Sequence, residues 1–511
     1  MSDRPNVVLV MADQLAAAHL PAYGNGAVHA PRLSQLAREG VVFESAYCAS
    51  PLCAPSRFAL LAGRRPSSIA AYDNAAELPA GTPTIAHVLR ADGYETALAG
   101  KMHFVGPDQL HGFEERLTTD VYPSDFDWTP DWRLPPGERL EWYHNTTSLR
   151  ASRVAEAAMQ TDYDDEVCFR AVQKIRDLSL GSGERPFFLT VSFTNPHDPW
   201  EVRQRYWDLY DERSIPLPAV ATIPRGEADA HSLRLRDMSL LDARPLDDDE
   251  VRRARHGYYA AISYLDERVG EVLDALSATG LDSSTLVLFT ADHGELLGER
   301  GLWYKMSFLE GSARVPLIAR GPGLAPRRVR GPVSQLDIAA TLADLAGAPA
   351  DGAAFEGTSL ASALTGASDG PGQAEGEYLA EGVTAPAIML RRGRHKYIRC
   401  PGDPDLLYDL AADPLELRNL AAEPEARVLA AAFRVESDAR WDFDLLAARV
   451  LESQRERRLV ARALARGAYQ PWDFQPFSDA SLQYVRSDAA RGDRPGRARP
   501  AGGLPPSADT T

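Results

Sequence analysis

Thr285-Leu-Val-Leu-Phe-Thr-Ala-Asp292-His293-Gly294 passes from an unbroken apolar run into an acid, an imidazole and a glycine. A continuous rather than alternating apolar run predicts a strand, Thr285–Thr290, covered on both faces as in a parallel sheet. The residues before it are helical in pattern. Ile262, Leu265, Val269, Val272, Leu273 and Leu276 recur at helical spacing across Arg253–Ser277, and Gly280 marks the stop. A helix feeding a buried strand is the repeating unit of an α/β fold. Outward from there the alternation recurs. Asn6–Met11 reads as a strand ending at Asp13-Gln14. Thr84–Asp92 reads as a helix opened by Pro83-Thr84, and it leads to strands at Thr96–Ala99 and Phe187–Phe193. The fold class is therefore α/β, with a large, mainly parallel sheet flanked by helices. Polar residues gather just past the strands, at Asp13, Lys101, His103, His197, Asp292 and His293, where open α/β sheets bind their ligands.

The chain has 511 residues, 44% of them hydrophobic and 25% charged, a globular balance with room for a large core and a smaller domain. Its formal net charge of −17 argues against nucleic acid or an anionic membrane surface as partner, so any bound anion needs a local cationic pocket. Cys48, Cys53, Cys168 and Cys400 are too few and scattered for a disulfide framework. With a first apolar run cut off by Asp13, they predict a cytoplasmic protein, and no segment is long enough to span a bilayer. The main α/β unit is expected over 1–370, with Gly366–Gly372 as linker. Short strands at Arg394–Arg399 and Leu406–Leu410 predict a smaller C-terminal α+β domain over 375–468. Residues 469–486 read as a C-terminal segment, and 487–511, rich in Arg, Pro, Gly and Asp, as a disordered tail.

The most specific motif is Ser50-Pro-Leu-Cys-Ala-Pro-Ser-Arg57, followed by Leu61-Ala-Gly-Arg64. It resembles the segment in which type I sulfatases, of the alkaline phosphatase superfamily, have a cysteine oxidised to formylglycine. That resemblance implies an alkaline-phosphatase-like fold and a sulfuric ester hydrolase. It also implies a formylglycine-generating enzyme acting on Cys53, and a divalent metal, Ca²⁺ first and Mg²⁺ or Mn²⁺ otherwise. An aldehyde hydrate beside such a cation is a strong nucleophile. By the same resemblance Asp13, Asp292, His293 and residue 53 form the metal shell, an oxygen-rich set suited to hard cations. Arg57 holds residue 53 and the metal-side oxygens. Lys101 in Gly100-Lys-Met-His103 and Lys305 in Trp303-Tyr-Lys305 neutralise sulfate oxygens, His103 hydrogen-bonds the hydrate, and His197 in Thr194-Asn-Pro-His197 meets the leaving oxygen. Ala12 departs from the paired aspartates of many sulfatases, and His293 from their asparagine. Both features resemble the branch shared by choline sulfatases and phosphonate monoester hydrolases.

Over Tyr72–Glu77, Gly100–Asp120, Asp127–Trp132 and Trp142–Asn145 the similarity narrows to choline sulfatases, and it extends to about Arg486. It implies choline sulfate as substrate, with Asn74, Trp128, His144 and Glu381 around the ammonium. A quaternary ammonium donates no conventional hydrogen bond, so aromatic faces and carboxylates must recognise it. The aromatic-rich insertion Tyr122–His144 follows the Lys101 strand and can overhang the site. The alternatives are a phosphonate or phosphodiester monoester hydrolase with the same formylglycine site, and a silent binding protein in which Cys53 stays unmodified. Tyr469–Phe477 and Ser481–Arg486 resemble the family's C-terminal segment, which reaches into a neighbouring subunit and implies a homo-oligomer, dimer or tetramer. The residues after Asp488 do not resemble the family's usual ending.

Overall fold

The computed structural model describes residues 4–477 apart from 136, 181–184, 350–351 and 469. Among the described residues eight strands form one sheet. They are β1 (Asn6–Ala12), β2 (Val41–Phe43), β3 (Glu95–Gly100), β4 (Glu115–Arg116), β5 (Phe187–Ser192), β6 (Thr285–Ala291), β7 (Leu317–Arg320) and β8 (Arg327–Val329). Their order is β8-β2-β7-β6-β1-β5-β3-β4, and every pairing is parallel except the two made by β7. β1 sits between β5 and β6 with Val7, Val8, Leu9 and Val10 all buried, which is why its apolar run does not alternate. The helices that flank the sheet include α1 (Cys53–Ala62), α2 (Ile85–Ala91), α3 (Met159–Leu180), α4 (Asp248–Thr279) and α5 (Leu336–Ala346). α1 and α2 pack on α5, whereas α3 packs on α4.

The apolar spacing located the buried stretch of α4 but not its start. The helix begins at Asp248 because Asp247 and Glu250 form a capping box: the Asp247 side chain accepts from the Glu250 N–H, and the Glu250 side chain from the Asp247 N–H. That first turn is exposed and carries no apolar signal.

Strand register decides where chemistry can occur. Ala12 pairs with Ala291, and Gly100 with Ser192, so the residues after β1, β3, β5 and β6 leave the sheet along one edge. Gly100, at φ 104°, permits this closeness; a Cβ there would lie 1.9 Å from the Ser192 carbonyl oxygen.

The smaller C-terminal domain is an antiparallel meander, β9 (Gln373–Tyr378), β10 (Ala387–Arg392), β11 (His395–Arg399) and β12 (Leu406–Asp409). It is packed by α6 (Arg427–Arg440) and α7 (Phe443–Leu464) around Ile388, Leu390, Tyr397, Phe433 and Val450. Two buried ionic clamps tie it to the rest. Lys396 donates to the Phe308 carbonyl (2.7 Å) and Glu310 (2.9 Å). From α7, Arg457 meets both oxygens of Asp73 at 2.6 Å each and Thr129 at 3.3 Å. Beyond α7, Asp473 accepts from Ser124, and Trp472 packs edge-on against Phe126, within the same chain. The end of the expected segment 469–486 and the expected tail 487–511 lie outside the described residues. No helix among the described residues is long and apolar enough to cross a membrane.

Asp73 is fully buried, so Arg457→Ala leaves an unpaired charge in the interior. The expected loss is about 3–5 kcal/mol, read as a lower urea midpoint. An Asp73→Asn/Arg457→Met double variant should recover more than half of it, because the asparagine oxygen still accepts from the Ala75 N–H that Asp73 holds at 3.0 Å. An additive loss would show that the pair is not what anchors α7.

Candidate active site

Cys53 is the first residue of α1, and its thiol points into the edge where the strands end. Its Sγ lies 3.2 Å from His293 Nε2 and 4.0 Å from Asp13 Oδ1. The helix N-terminus behind it favours negative charge at this position. Burial would raise the thiol pKa, yet Lys101, Lys305 and His293 hold it well below the ordinary value. Asn74 accepts from the Ala54 N–H at 3.0 Å, so its carbonyl oxygen braces the first turn of the same helix.

Asp13, Cys53, Asp292 and His293 bring one ligand atom each to within 4.8 Å of one another, all buried. His293 Nδ1 faces the Gly294 carbonyl at 3.0 Å, which fixes the proton there and leaves the Nε2 lone pair inward. Inward it meets Asp13 Oδ1 at 3.9 Å and Asp292 Oδ2 at 3.7 Å. Acceptors converging on acceptors are comfortable only with a cation, or a proton, between them. Without a metal the proton takes that role: burial lowers the His293 pKa, but Asp292 and Cys53 drive it up. The donor set therefore fits a divalent cation.

Arg57 organises the two carboxylates. Its Nε donates to Asp292 at 2.8 Å, its Nη1 to the Lys101 carbonyl at 2.6 Å and to Ser192 Oγ at 2.7 Å, and its Nη2 lies 3.5 Å from Asp13. Its hydrogen bonds go to Asp292, Lys101 and Ser192, and Cys53 lies within its electrostatic reach. Lys101 pairs with the second oxygen of Asp13 and lies 4.0 Å from the Tyr122 ring centroid. Burial would raise the Asp13 pKa, but Lys101, His197 and Arg57 pull it below the usual carboxylate range. Lys305 donates to Gln14 Oε1 at 2.5 Å and to His197 Nε2 at 2.9 Å. His103 has positive φ, its N–H and that of Met102 are held by Asp120, and its buried ring interacts with the Cys53 thiol.

One cavity of about 450 Å³ is lined by Cys53, Lys305 and His197 together with Asn74, Trp128, His144 and Glu381. The insertion after β4 supplies Trp128 and His144. Trp132 fastens it, its indole N–H donating to the Ala380 carbonyl at 2.6 Å, beside Glu381. Glu381 is 2% exposed, and among the described residues neither carboxylate oxygen has a hydrogen-bond partner from another residue. Burial and the nearby Asp73 push its pKa up to about 7. A further cavity, of about 350 Å³ by Glu310, Arg314 and Arg391, shares no lining residue with this one.

The structure thus gathers at one place every residue that the sequence assigned to the metal, the sulfate and the ammonium. It also brings in four that the sequence did not single out: Gln14, Tyr122, Asp120 and Glu295. The first stands beside Asp13 and the last two residues from His293, so adjacency to the ligands was the signal available. Tyr122 packs among Lys101, His103 and Trp128, tilted against the His103 ring and edge-on to that of Trp128, with ring centroids 5.1 Å from each.

Residues 5–348 match a family model described as Sulfatase, and residues 448–499 one described as Choline sulfatase enzyme C terminal. Choline-sulfatase of Rhizobium meliloti (strain 1021) is 49% identical over 495 residues, covering 95% of this chain and 96% of that protein. Among solved structures, the phosphonate monoester hydrolase of Agrobacterium radiobacter superposes with a TM-score of 0.69 at 26% identity, covering 88% of this chain and 96% of that one. A 2-O GAG sulfatase shares the fold with a TM-score of 0.66 at 24% identity, covering 98% of each chain.

Proposed function

The chain belongs to the sulfatase family, and from that premise we propose that it hydrolyses choline sulfate to choline and sulfate. The observation that carries the choline half is Glu381, a buried carboxylate with no partner, facing the same cavity as Cys53 and Trp128. An anion left unpaired in an aromatic-walled pocket suits a cation that offers no hydrogen bonds of its own. The 49% identity to a choline-sulfatase supports the same substrate.

Formylglycine made from Cys53 by a formylglycine-generating enzyme would supply the nucleophile, and a divalent cation the charge that steadies it. Asp13, Asp292 and His293 hold that cation, and the two carboxylates favour Ca²⁺, with Mg²⁺ or Mn²⁺ next, over zinc. Arg57 fixes both carboxylates and offsets their repulsion. Lys101 and Lys305 meet the non-bridging sulfate oxygens, where negative charge gathers as the ester bond breaks. His197, beside Lys305, stands toward the leaving oxygen. His103, whose ring already interacts with the Cys53 side chain, stands to accept a proton from residue 53. Trp128 presents a ring face to the ammonium, with His144 and Asn74 completing the wall.

Three outcomes test this reading. Cys53→Ala should abolish hydrolysis with the fold intact by circular dichroism; retained turnover would refute it. Ca²⁺ at about a hundred times its Kd should stabilise the protein by about 2.7 kcal/mol in thermal melts, and Asp13→Ala should remove the effect. Stabilisation by zinc alone, undisturbed in Asp13→Ala, would refute the ligand set.

Glu381 gives the sharpest test. Its pKa rises from 4.5 to about 7 on folding, so the unfolded chain releases this proton first, and stability falls as pH climbs through that window. The cost is on the order of 3 kcal/mol above pH 7. Glu381→Gln should therefore melt higher than wild type at pH 8 and match it at pH 4. The same change should cut kcat/KM for choline sulfate about tenfold, and spare the neutral isostere in which carbon replaces nitrogen. Wild-type KM for choline sulfate alone should rise as pH drops below about 7. Equal losses on both esters, or a wild-type preference for a phosphonate monoester, would overturn the choline assignment.

A further inference from the structure

Gln14 and Glu295 lie fully buried behind the site, and the chemistry above uses neither. Gln14 Oε1 accepts from Lys305 Nζ at 2.5 Å, while its Nε2 donates to Glu295 Oε2 at 2.5 Å and to Asp198 Oδ1 at 3.0 Å. Only one amide orientation satisfies these partners. Turned over, it would set its N–H groups against an ammonium and its oxygen against two carboxylates. Glu295 acts a second time on the same lysine. Its Oε1 accepts the backbone N–H of Leu297 at 2.8 Å and of Tyr304 at 2.6 Å, and Tyr304 directly precedes Lys305.

The other half of the pair is held from the same side. His197 Nδ1 lies 2.6 Å from the Asp198 carbonyl, which can only accept, so Nδ1 carries the proton and Nε2 accepts from Lys305. Gln14 thus touches Lys305 directly and reaches His197 through Asp198.

We propose that Gln14 and Glu295 are positioning residues that aim the Lys305–His197 pair at the leaving oxygen of the ester. The inference rests on the sulfatase reading of the site. When the S–O bond breaks, its electron pair goes to the ester oxygen. That oxygen takes the proton that Lys305 shares with His197 Nε2, while sulfur forms its new bond to the oxygen nucleophile supplied at residue 53. An alkoxide such as that of choline leaves poorly without this proton, whereas a nitrophenolate hardly needs it. A small misplacement of the donor therefore penalises poor leaving groups selectively.

Glu295→Gln separates aiming from folding. Its oxygen stays with the two backbone N–H groups, and the new amide N–H₂ faces the Gln14 N–H₂, breaking only the link to Gln14. Gln14→Leu removes the acceptor on Lys305 outright. The experiment measures kcat/KM for choline sulfate and for aryl sulfates of graded leaving-group pKa, with nitrophenyl sulfate at the easy end.

Both variants should lose about thirtyfold to a hundredfold on choline sulfate and less than about threefold on nitrophenyl sulfate. In a Lys305→Ala background, Glu295→Gln should add less than about twofold. Nitrogen NMR of labelled histidine in the unmodified Cys53 protein should show the His197 Nε2 resonance moving in Glu295→Gln, with no turnover required. A uniform loss across the series, full additivity with Lys305→Ala, or an unmoved His197 resonance would overturn the proposal. A wild type inactive on every sulfate ester would instead overturn the sulfatase reading beneath it.

Discussion

The buried guanidinium of Arg57 is the interaction on which the rest of the site depends. Asp13 and Asp292 end adjacent parallel strands and would repel each other in a dry interior. Arg57 reaches from α1 to Asp292, to the carbonyl after β3 and to the hydroxyl of Ser192 on β5, with Asp13 at 3.5 Å. One planar fork thereby binds the ends of four strands to the helix that carries Cys53. A lysine could neutralise the charge but could not hold so many partners in fixed directions. Lys101 then completes the neutralisation of Asp13 at the same Oδ2 oxygen that Arg57 faces.

What the sequence made legible follows from where the physics is local. Strands buried on both faces write an unbroken apolar run, so β1, β5 and β6 could be bounded within a residue or two. Polar residues placed soon after such strands inherit that legibility, which is why Asp13, Lys101, His197 and Asp292 were found together. The exposed first turn of α4 escaped because its start signal was polar. Arg457 and Asp73 are 384 positions apart, and no spacing rule connects them. Gln14 and Glu295 escaped for another reason. Residues that aim other residues make ordinary hydrogen bonds, and nothing in their chemistry marks them until the partners are seen. Asn74 shows the converse: it lines the cavity, yet its side-chain carbonyl is already committed to the Ala54 N–H.

The same segment of chain shows what the fold can do with a buried carboxylate and what it declines to do at the cavity. Glu377, at the end of β9, is fully buried and accepts from the Ser67 N–H and Oγ, each at 2.7 Å, and from the Trp441 indole. Glu381, four residues on and nearly as buried, receives nothing from any neighbour. The Trp132 indole N–H binds the carbonyl of the preceding residue, Ala380. A carboxylate already satisfied by donors offers little further attraction to an incoming cation. One left raised near neutrality by desolvation keeps that attraction available, at a cost in stability above pH 7. On the choline-sulfate reading proposed above, the partner that offsets this cost arrives with the substrate. The aromatic walls around it define a partner that brings charge without hydrogen-bond donors.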